Sequence, residues 1–121
     1  MNAYQEKLKK LMNDYVHFVY RITRNFPKQE MYSSVSQFRR AALSIILNYI
    51  EGYARRKTLV RLNHLEISLG SFKESSYLLE FSLVEEFISK EEYEEGTKLE
   101  KEIGAMLWTE LTNLEKSIRK K

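Results

Sequence analysis

The chain has 121 residues, which is enough for one domain and too few for two comfortable ones. A single proline and four glycines leave little material for many turns, so the composition favours a few long helices over a sheet protein. The chain has no cysteine, which excludes disulfides, thiol catalysis and thiolate metal sites, and its net charge is +3.

The charge is distributed unevenly between the two halves of the chain. Residues 1–61 hold twelve Lys and Arg against four Asp and Glu, a balance of +8, whereas residues 62–121 hold eight against thirteen, a balance of −5. This asymmetry predicts pairing of the halves within or between chains, or a basic face that binds a polyanion. No apolar run suits a signal peptide or a membrane span, so we expect a cytoplasmic protein with no membrane partner.

In chain order, the first predicted helix runs from about Asn2 to Asn25. Apolar residues recur along it in steps of three and four from Tyr4 to Phe26. Pro27 ends this helix, because proline has no N–H to donate and disfavours the helical conformation of the residue before it.

The second predicted helix begins near Ser33 or Ser34, after a loop over residues 26–32, and ends near Arg56. Ser34 and Gln37 have the spacing of a capping box, in which the serine accepts from a backbone amide and the glutamine reaches back. One face of this helix is apolar and another is polar at the same helical steps; the polar residues are Gln37, Arg40, Ser44, Asn48, Glu51 and Arg55.

Two interpretations of this polar face remain. It fits a solvated surface, and it fits a buried network at a junction between subunits, with Ser44, Asn48, Glu51 and the adjacent Gly52 as the candidate residues. A buried glutamate needs a partner, and an arginine of the same face could supply it. The uncharged Ser44 and Asn48 favour the junction, since a solvated face would more often carry Lys or Glu there.

The third predicted helix runs from about Leu59 to Phe87, with Thr58 as its N-cap. A heptad seam along it consists of Leu62, Leu65, Leu69, Phe72, Ser76, Leu79 and Leu83. Further apolar residues such as Ile67 and Tyr77 lie off the seam, and a helix that is apolar on more than one face is either central or shared with a partner. No helix is central in a four-helix bundle, so the surplus predicts a homo-oligomer.

The fourth predicted helix begins at a capping box formed by Ser89 and Glu92. Four glycines fall inside helical pattern, and we expect Gly52 and Gly70 to lie where the second and third helices touch. Short loops between four helices predict an all-α, up-down-up-down antiparallel four-helix bundle, with one domain over residues 1–121.

No set of residues in the sequence predicts catalysis, a metal or a cofactor. Di-iron bundles need Glu-x-x-His twice with two further glutamates, and the nearest match is the lone Asp14-x-x-His17 on a polar face. His64 has Arg61, not a carboxylate, three residues before it. Nucleophile elbows and phosphate loops are absent from the sequence, so we expect a protein that is not an enzyme.

Two basic clusters are the strongest candidates for a binding site. The first, at the end of helix 1 and the start of helix 2, consists of Arg21, Arg24, Lys28, Arg39 and Arg40. The second, at the other end of helix 2, consists of Arg55, Arg56, Lys57 and Arg61. Arginine binds phosphate with two parallel hydrogen bonds, so nucleic-acid binding through phosphates is one interpretation. Pairing with the acidic third and fourth helices of the same or the next chain is the other.

The stretch FPKQEMYSSVSQFRRAALSIILNYIEGYARR, residues 26–56, resembles the signature of the four-helix-bundle proteins of rRNA intervening sequences. Members of that family typically read FPKEE, then SQIRRAA, SIPANIAEG and YGR. Matching positions include Phe26, Pro27, Lys28, Glu30, Ser36, Gln37, Arg39, Arg40, Ala41, Ala42, Ser44, Asn48, Glu51, Gly52 and Arg55. The chain departs from the pattern at Ile46-Leu47, where the family often has Pro-Ala.

The resemblance implies a bundle that assembles into a homopentamer. A related branch of the family, the accessory variability proteins of diversity-generating retroelements, is similar in fold, and it implies nucleic acid, either RNA or DNA, and a reverse transcriptase as partners. The residues and the resemblance together predict a non-enzymatic oligomer that binds RNA or a nucleoprotein through the basic clusters. The alternative is a purely structural assembly or protein scaffold, in which the same cations bind neighbouring subunits.

Overall fold

Four helices make up most of the computed structural model, which describes residues 1–120. They are α1 (Ala3–Thr23), α2 (Ser36–Ala54), α3 (Thr58–Val84) and α4 (Lys90–Arg119). A 3₁₀ turn (Lys28–Glu30) and a π-helical turn (Met31–Val35) connect α1 to α2. Residues 1–120 contain no β-strand.

The helices form a closed cycle of neighbours. Helix α2 packs against α1 and α3, and α4 packs against α3 and α1, so each helix lies beside those that precede and follow it. The short connections reverse the chain direction each time. This arrangement confirms the predicted all-α, up-down-up-down antiparallel bundle.

Two of the helix starts follow the capping chemistry of their sequences. Asn2 caps α1: its side chain accepts from the Gln5 amide at 2.8 Å, and the Gln5 side chain accepts from the Asn2 amide at 3.0 Å. Ser89 and Glu92 form the same reciprocal pair at the start of α4, which confirms the predicted capping box there.

Two other predicted caps are wrong. Ser34 does not cap α2, because the chain is already helical from Met31 and the Ser34 hydroxyl donates instead to the Glu30 carboxylate. Thr58 is the first residue of α3 rather than its N-cap, since the preceding Lys57 has the extended backbone of a cap residue and makes no side-chain cap bond.

Helices α2 and α3 both end earlier in the sequence than predicted. Helix α2 ends at Ala54, because Arg55 has an extended backbone. Helix α3 ends at Val84 because Glu86 has a φ of 62°, and this left-handed residue lets the Phe87 amide donate to the Ser82 carbonyl at 2.9 Å. The Glu86 amide donates to Leu83, which completes a Schellman motif without glycine.

The core lies along the axis of the bundle and draws large side chains from every helix. Fully buried ones include Tyr15 and Phe18 of α1, Tyr49 of α2, Leu79 of α3 and Leu107 of α4. The buried residues of α1, α2 and α4 follow the predicted apolar faces, but the buried face of α3 includes Ser68, Ser75 and Ser82, which lie off its predicted seam. In the part of the chain described, no helix combines the length and apolarity needed to cross a membrane.

The glycine contacts agree only partly with prediction. A Cβ atom at Gly52 would lie 3.2 Å from the Cβ of His64 on α3, so Gly52 is a contact point of α2 and α3 as expected. The same prediction for Gly70 is wrong, because a Cβ atom there would meet nothing within 4 Å. The tightest position is Gly96, where a Cβ atom would lie 2.7 Å from Leu79 and 2.8 Å from Phe18.

Candidate nucleic-acid interface

A pocket of about 390 Å³ opens where α1 passes into α2, and it is called here the basic pocket. Three cations line it, namely Arg24, Lys28 and Arg39. The other lining residues are Thr23, Phe26, Pro27, Met31 and Val35, so no carboxylate takes part.

The local sequence explains why these three cations meet. Arg24 is the C-cap residue of α1, and Pro27, with φ −54° and ψ 143°, extends the chain just before Lys28 opens the 3₁₀ turn. Phe26 is buried and its ring centroid lies 5.0 Å from that of Phe87, which anchors the connection to the end of α3. Arg39 comes from the first turns of α2.

Arg39 has a structural role as well as a place in the pocket. Its Nε donates to the Thr23 hydroxyl at 2.9 Å, and its guanidinium lies 4.5 Å from the centre of the Tyr20 ring. The half-buried side chain therefore ties α2 to α1 and is held in one orientation. Arg24 and Lys28 are exposed, and neither forms an ion pair with any residue in 1–120.

The remaining cations of the first predicted cluster lie outside this pocket. Arg21 forms an ion pair with Glu95 of α4 and lines a neighbouring pocket whose walls carry both signs of charge, and Arg24 lines that pocket as well. Arg40 is exposed, and its nearest hydrogen-bond partner is the Ser36 hydroxyl at 3.5 Å. The first cluster is thus split, and Arg24, Lys28 and Arg39 are the part that converges.

The second predicted cluster lies at the opposite end of the bundle, and two of its four cations are engaged within the chain. Arg55 pairs with Glu51 one turn before it. Arg61 donates to the carbonyls of Gly52 at 3.3 Å and Arg55 at 3.0 Å. Its guanidinium also lies 4.8 Å from the centre of the Tyr53 ring. Arg56 and Lys57 are exposed, beside a pocket whose other walls are mainly aliphatic.

The polar face of α2 is used in part within the chain. The Asn48 amide donates to the Ser44 carbonyl at 3.0 Å, and its oxygen lies 3.0 Å from His64 Nδ1 of α3. Ser71 of α3 donates to the Ser44 hydroxyl at 2.7 Å. Glu51 pairs along its own helix with Arg55. These contacts between α2 and α3 were not foreseen, and the role of this face at a subunit junction stays a prediction.

Sequence reasoning also missed a carboxylate between helices. The hydroxyls of Tyr49 and Tyr53 both donate to the carboxylate of Glu110 on α4. Burial raises the pKa of both hydroxyls, and the adjacent Glu110 charge raises each further. Both protons therefore stay on tyrosine and the three groups join α2 to α4. The two tyrosines are one helical turn apart in the sequence, and this spacing could have predicted a shared partner.

A second unforeseen network lies in the core. Glu100 is 7% exposed; it accepts from the Tyr15 hydroxyl at 2.7 Å and from Ser76 at 2.9 Å. Burial raises the pKa of Glu100, and the two hydrogen bonds act in the opposite direction. The spacing of Glu100 from Gly96 and Ile103, in steps of four and three, could have predicted that it lies on the buried face of α4.

No group of three or more His, Asp or Glu side chains within residues 1–120 is arranged to hold a metal ion. The Asp14-x-x-His17 spacing does not bring further ligands together, and Asp14 instead pairs with Lys10 at 3.2 Å.

These features define an all-α protein whose four antiparallel helices leave one carboxylate-free pocket of three cations at the α1–α2 connection. The chain matches the model of the 23S rRNA-intervening sequence protein family over residues 5–109, and it belongs to that family.

A solved structure shows the same fold. It is the crystal structure of a protein with unknown function from the S23 ribosomal protein family of Bacteroides thetaiotaomicron VPI-5482. The two structures have a TM-score of 0.77 and 24% sequence identity, over 86% of this chain and 97% of that chain. A comparison with curated proteins found no match.

Proposed function

We propose that this protein is a non-enzymatic oligomer that acts in the cytoplasm and binds RNA, alone or within a nucleoprotein, by holding backbone phosphates in the basic pocket. One observation carries the proposal: Arg24, Lys28 and Arg39 share a pocket with no carboxylate among its lining residues. An anion entering it gains three attractive charges and meets no opposing one.

The chemistry of the three side chains suits phosphate. Arg39 is already oriented by Thr23 and Tyr20, so its planar guanidinium loses little conformational freedom on binding. Arg24 and Lys28 are exposed and can move to meet the ligand. Contacts of this kind position a nucleic acid without reading its bases, so we expect weak sequence preference.

Family membership agrees with this proposal in one respect. The family is named for the intervening sequences of 23S rRNA, which makes RNA the first nucleic acid to test. A reverse transcriptase stays a proposed partner that rests on the resemblance to retroelement accessory proteins.

A purely structural assembly is the second candidate, and one observation favours it. Leu47 and Ile50 on the outer face of α2 are 57% and 39% exposed, one turn apart. Together with Leu43, which is partly buried and packs against the core, they form an apolar stripe along α2. A neighbouring copy of the chain could cover this stripe in a homopentamer without any nucleic acid.

Charge reversal in the basic pocket tests the RNA proposal. We expect Arg24→Glu with Lys28→Glu to weaken binding of a fluorescein-labelled RNA by more than tenfold in an anisotropy titration at low salt, because two phosphate partners become repulsive. Arg39 is left intact, since its loss would also untie α2 from α1.

The matched control is Lys73→Glu with Lys101→Glu, which changes the net charge equally at exposed positions of α3 and α4. Salt dependence supplies a second readout: each lost contact with a single strand reduces the slope of log K against log salt by about 0.7. Equal weakening by both variants would mean that net charge, not the pocket, attracts RNA.

A further inference from the structure

Tyr32 is the most exposed large hydrophobic residue of the described chain, with 93% of its surface accessible. It lies in the π-helical turn between α1 and α2, next to Met31, which is 53% exposed and lines the basic pocket. An aromatic ring therefore stands in solvent on the residue that follows Met31, a lining residue of the basic pocket.

The same turn has a second aromatic neighbour on its other side. Tyr77 of α3 is 63% exposed and lines a smaller pocket together with Ser33 and Ser34 of the turn. Along this end of the bundle, the basic pocket, the Met31–Tyr32 crest and Tyr77 follow one another. The turn thus carries one exposed ring, Tyr32, and lies beside a second, Tyr77, while Glu30 also lines the smaller pocket.

The turn that carries Tyr32 is held in place from within. The Glu30 carboxylate accepts from the hydroxyls of Ser33 and Ser34, and Val35 is buried in the core. The Glu30 carboxylate thus forms its hydrogen bonds within the turn, and Glu30 does not line the basic pocket. Tyr32 is therefore displayed on a fixed support, and a π-helical turn is a frequent feature of functional sites.

This juxtaposition distinguishes between forms of nucleic acid. A duplex offers phosphates on its outside, but its bases are stacked on each other and cannot lie flat on a protein side chain. A single strand offers phosphates together with free base faces, and proteins that bind it combine a basic groove with aromatic stacking platforms.

We propose that the basic pocket selects single-stranded RNA, with a base stacked on Tyr32 while an adjacent phosphate lies among Arg24, Lys28 and Arg39. The proposal rests on the proposed RNA function. It adds that the ligand is single-stranded and that Tyr32 is the residue on which a base stacks. Charge complementarity and the exposed ring favour a single strand over a second copy of the chain as occupant.

Two RNAs test strandedness directly. A fluorescein-labelled oligouridine and a blunt-ended RNA duplex with the same number of phosphates are titrated with wild-type protein and with Tyr32→Ala, Tyr32→Phe and Leu59→Ala. Leu59 is the matched control, since it is 67% exposed at the opposite end of the bundle. We expect Tyr32→Ala to weaken oligouridine binding roughly tenfold through the lost stacking. Duplex binding should stay within twofold, and Tyr32→Phe and Leu59→Ala should resemble wild type.

A fluorescence reporter gives a readout that a change in stability would not imitate. The chain has a single tryptophan, Trp108, so Trp108→Phe with Tyr32→Trp places the only indole on the crest. We expect oligouridine to quench this indole by stacking and the blunt-ended duplex to leave it unquenched at equal occupancy. Equal quenching by both would overturn the proposal.

The outcomes separate this inference from the function on which it rests. If wild-type protein binds neither RNA, the RNA function itself fails and the inference with it. If it binds both RNAs equally and Tyr32→Ala changes neither affinity, RNA binding stands but single-strand selection is wrong. If Tyr32→Ala lowers the mass of the assembly in native mass spectrometry, the ring contacts another copy of the chain, and the stacking role is overturned.

Discussion

The carboxyl group of Glu100 shows how a single residue can couple the bundle to pH. It lies in the core and accepts hydrogen bonds from Tyr15 of α1 and Ser76 of α3, while Ser75 lies 2.8 Å from the same tyrosine oxygen. Residues 1–120 contain no buried side-chain nitrogen or oxygen without a partner. The network therefore joins three helices at no cost in unpaired groups.

At the residue scale we predict that Glu100 makes the folded state less stable as pH rises. Burial raises its folded pKa above the ordinary value of 4.5, so the folded state binds more protons than the unfolded state just above that pH. Stability should then fall as pH increases from about 4.5 through the raised pKa. Glu100→Gln keeps an acceptor for Tyr15 and should remove this loss.

Urea denaturation of wild type and Glu100→Gln at several pH values from 4 to 8 checks the prediction. The variant should gain stability relative to wild type as pH rises. The difference should level off below pH 4.5, where Glu100 is protonated in both the folded and the unfolded protein. A constant difference across this range would contradict the assignment of the pH dependence to Glu100.

At the scale of elements, the glycines show which helix contacts are tight. Gly96 of α4 faces Phe18 and Leu79 at distances that leave no room for a methyl group, whereas Gly70 of α3 faces open space. Helical periodicity treats all four glycines alike, which explains why Gly70 was assigned wrongly and Gly96 was overlooked. The direction in which a glycine faces depends on how the helices are rotated, and that is decided by packing.

We predict opposite effects of alanine at these two positions. Gly70→Ala should stabilise the protein by about 0.5–1 kcal/mol, because alanine lowers the entropy of the unfolded chain and meets no neighbour. Gly96→Ala should destabilise it by about 1–3 kcal/mol, because its methyl group would force Phe18 and Leu79 apart. Urea unfolding with a common m-value measures both, and a stabilised Gly96→Ala variant would refute the close contact.

On the scale of the whole molecule, the open basic residues and the exposed apolar residues of α2 lie on different surfaces. The α1–α2 connection carries the basic pocket, and the outer face of α2 carries the apolar stripe of Leu43, Leu47 and Ile50. The two proposed roles, RNA binding and assembly, therefore use different surfaces. They can be separated by mutation.

We predict that Leu47→Glu with Ile50→Glu reduces a multimeric assembly to monomers, since two charges would be buried in an apolar interface. Native mass spectrometry should show the loss of mass while the helical circular dichroism signal is retained. Ala105→Glu on the exposed face of α4 is the control and should keep the wild-type mass. An unchanged mass in the double variant would show that this stripe is not the interface.

The amino-acid sequence alone was sufficient for the helical architecture and for much of the core. The three-and-four spacing of apolar residues, Pro27 and the Ser89–Glu92 capping box are local signals, and each acts on residues within one or two turns. The predicted caps at Ser34 and Thr58 failed because a π-helical turn and an extended Lys57 satisfy the backbone differently.

Only the tertiary structure decided which charges are engaged and which are open. The sequence grouped nine cations into two clusters, but it could not show that Arg21 meets Glu95 across the bundle or that Arg39 is held by Thr23. It also could not show that Tyr32 is exposed next to Met31, a residue of the basic pocket. Helix periodicity determines which residues share a face, whereas ion pairs, networks and pockets depend on how faces from distant parts of the chain are brought together by packing.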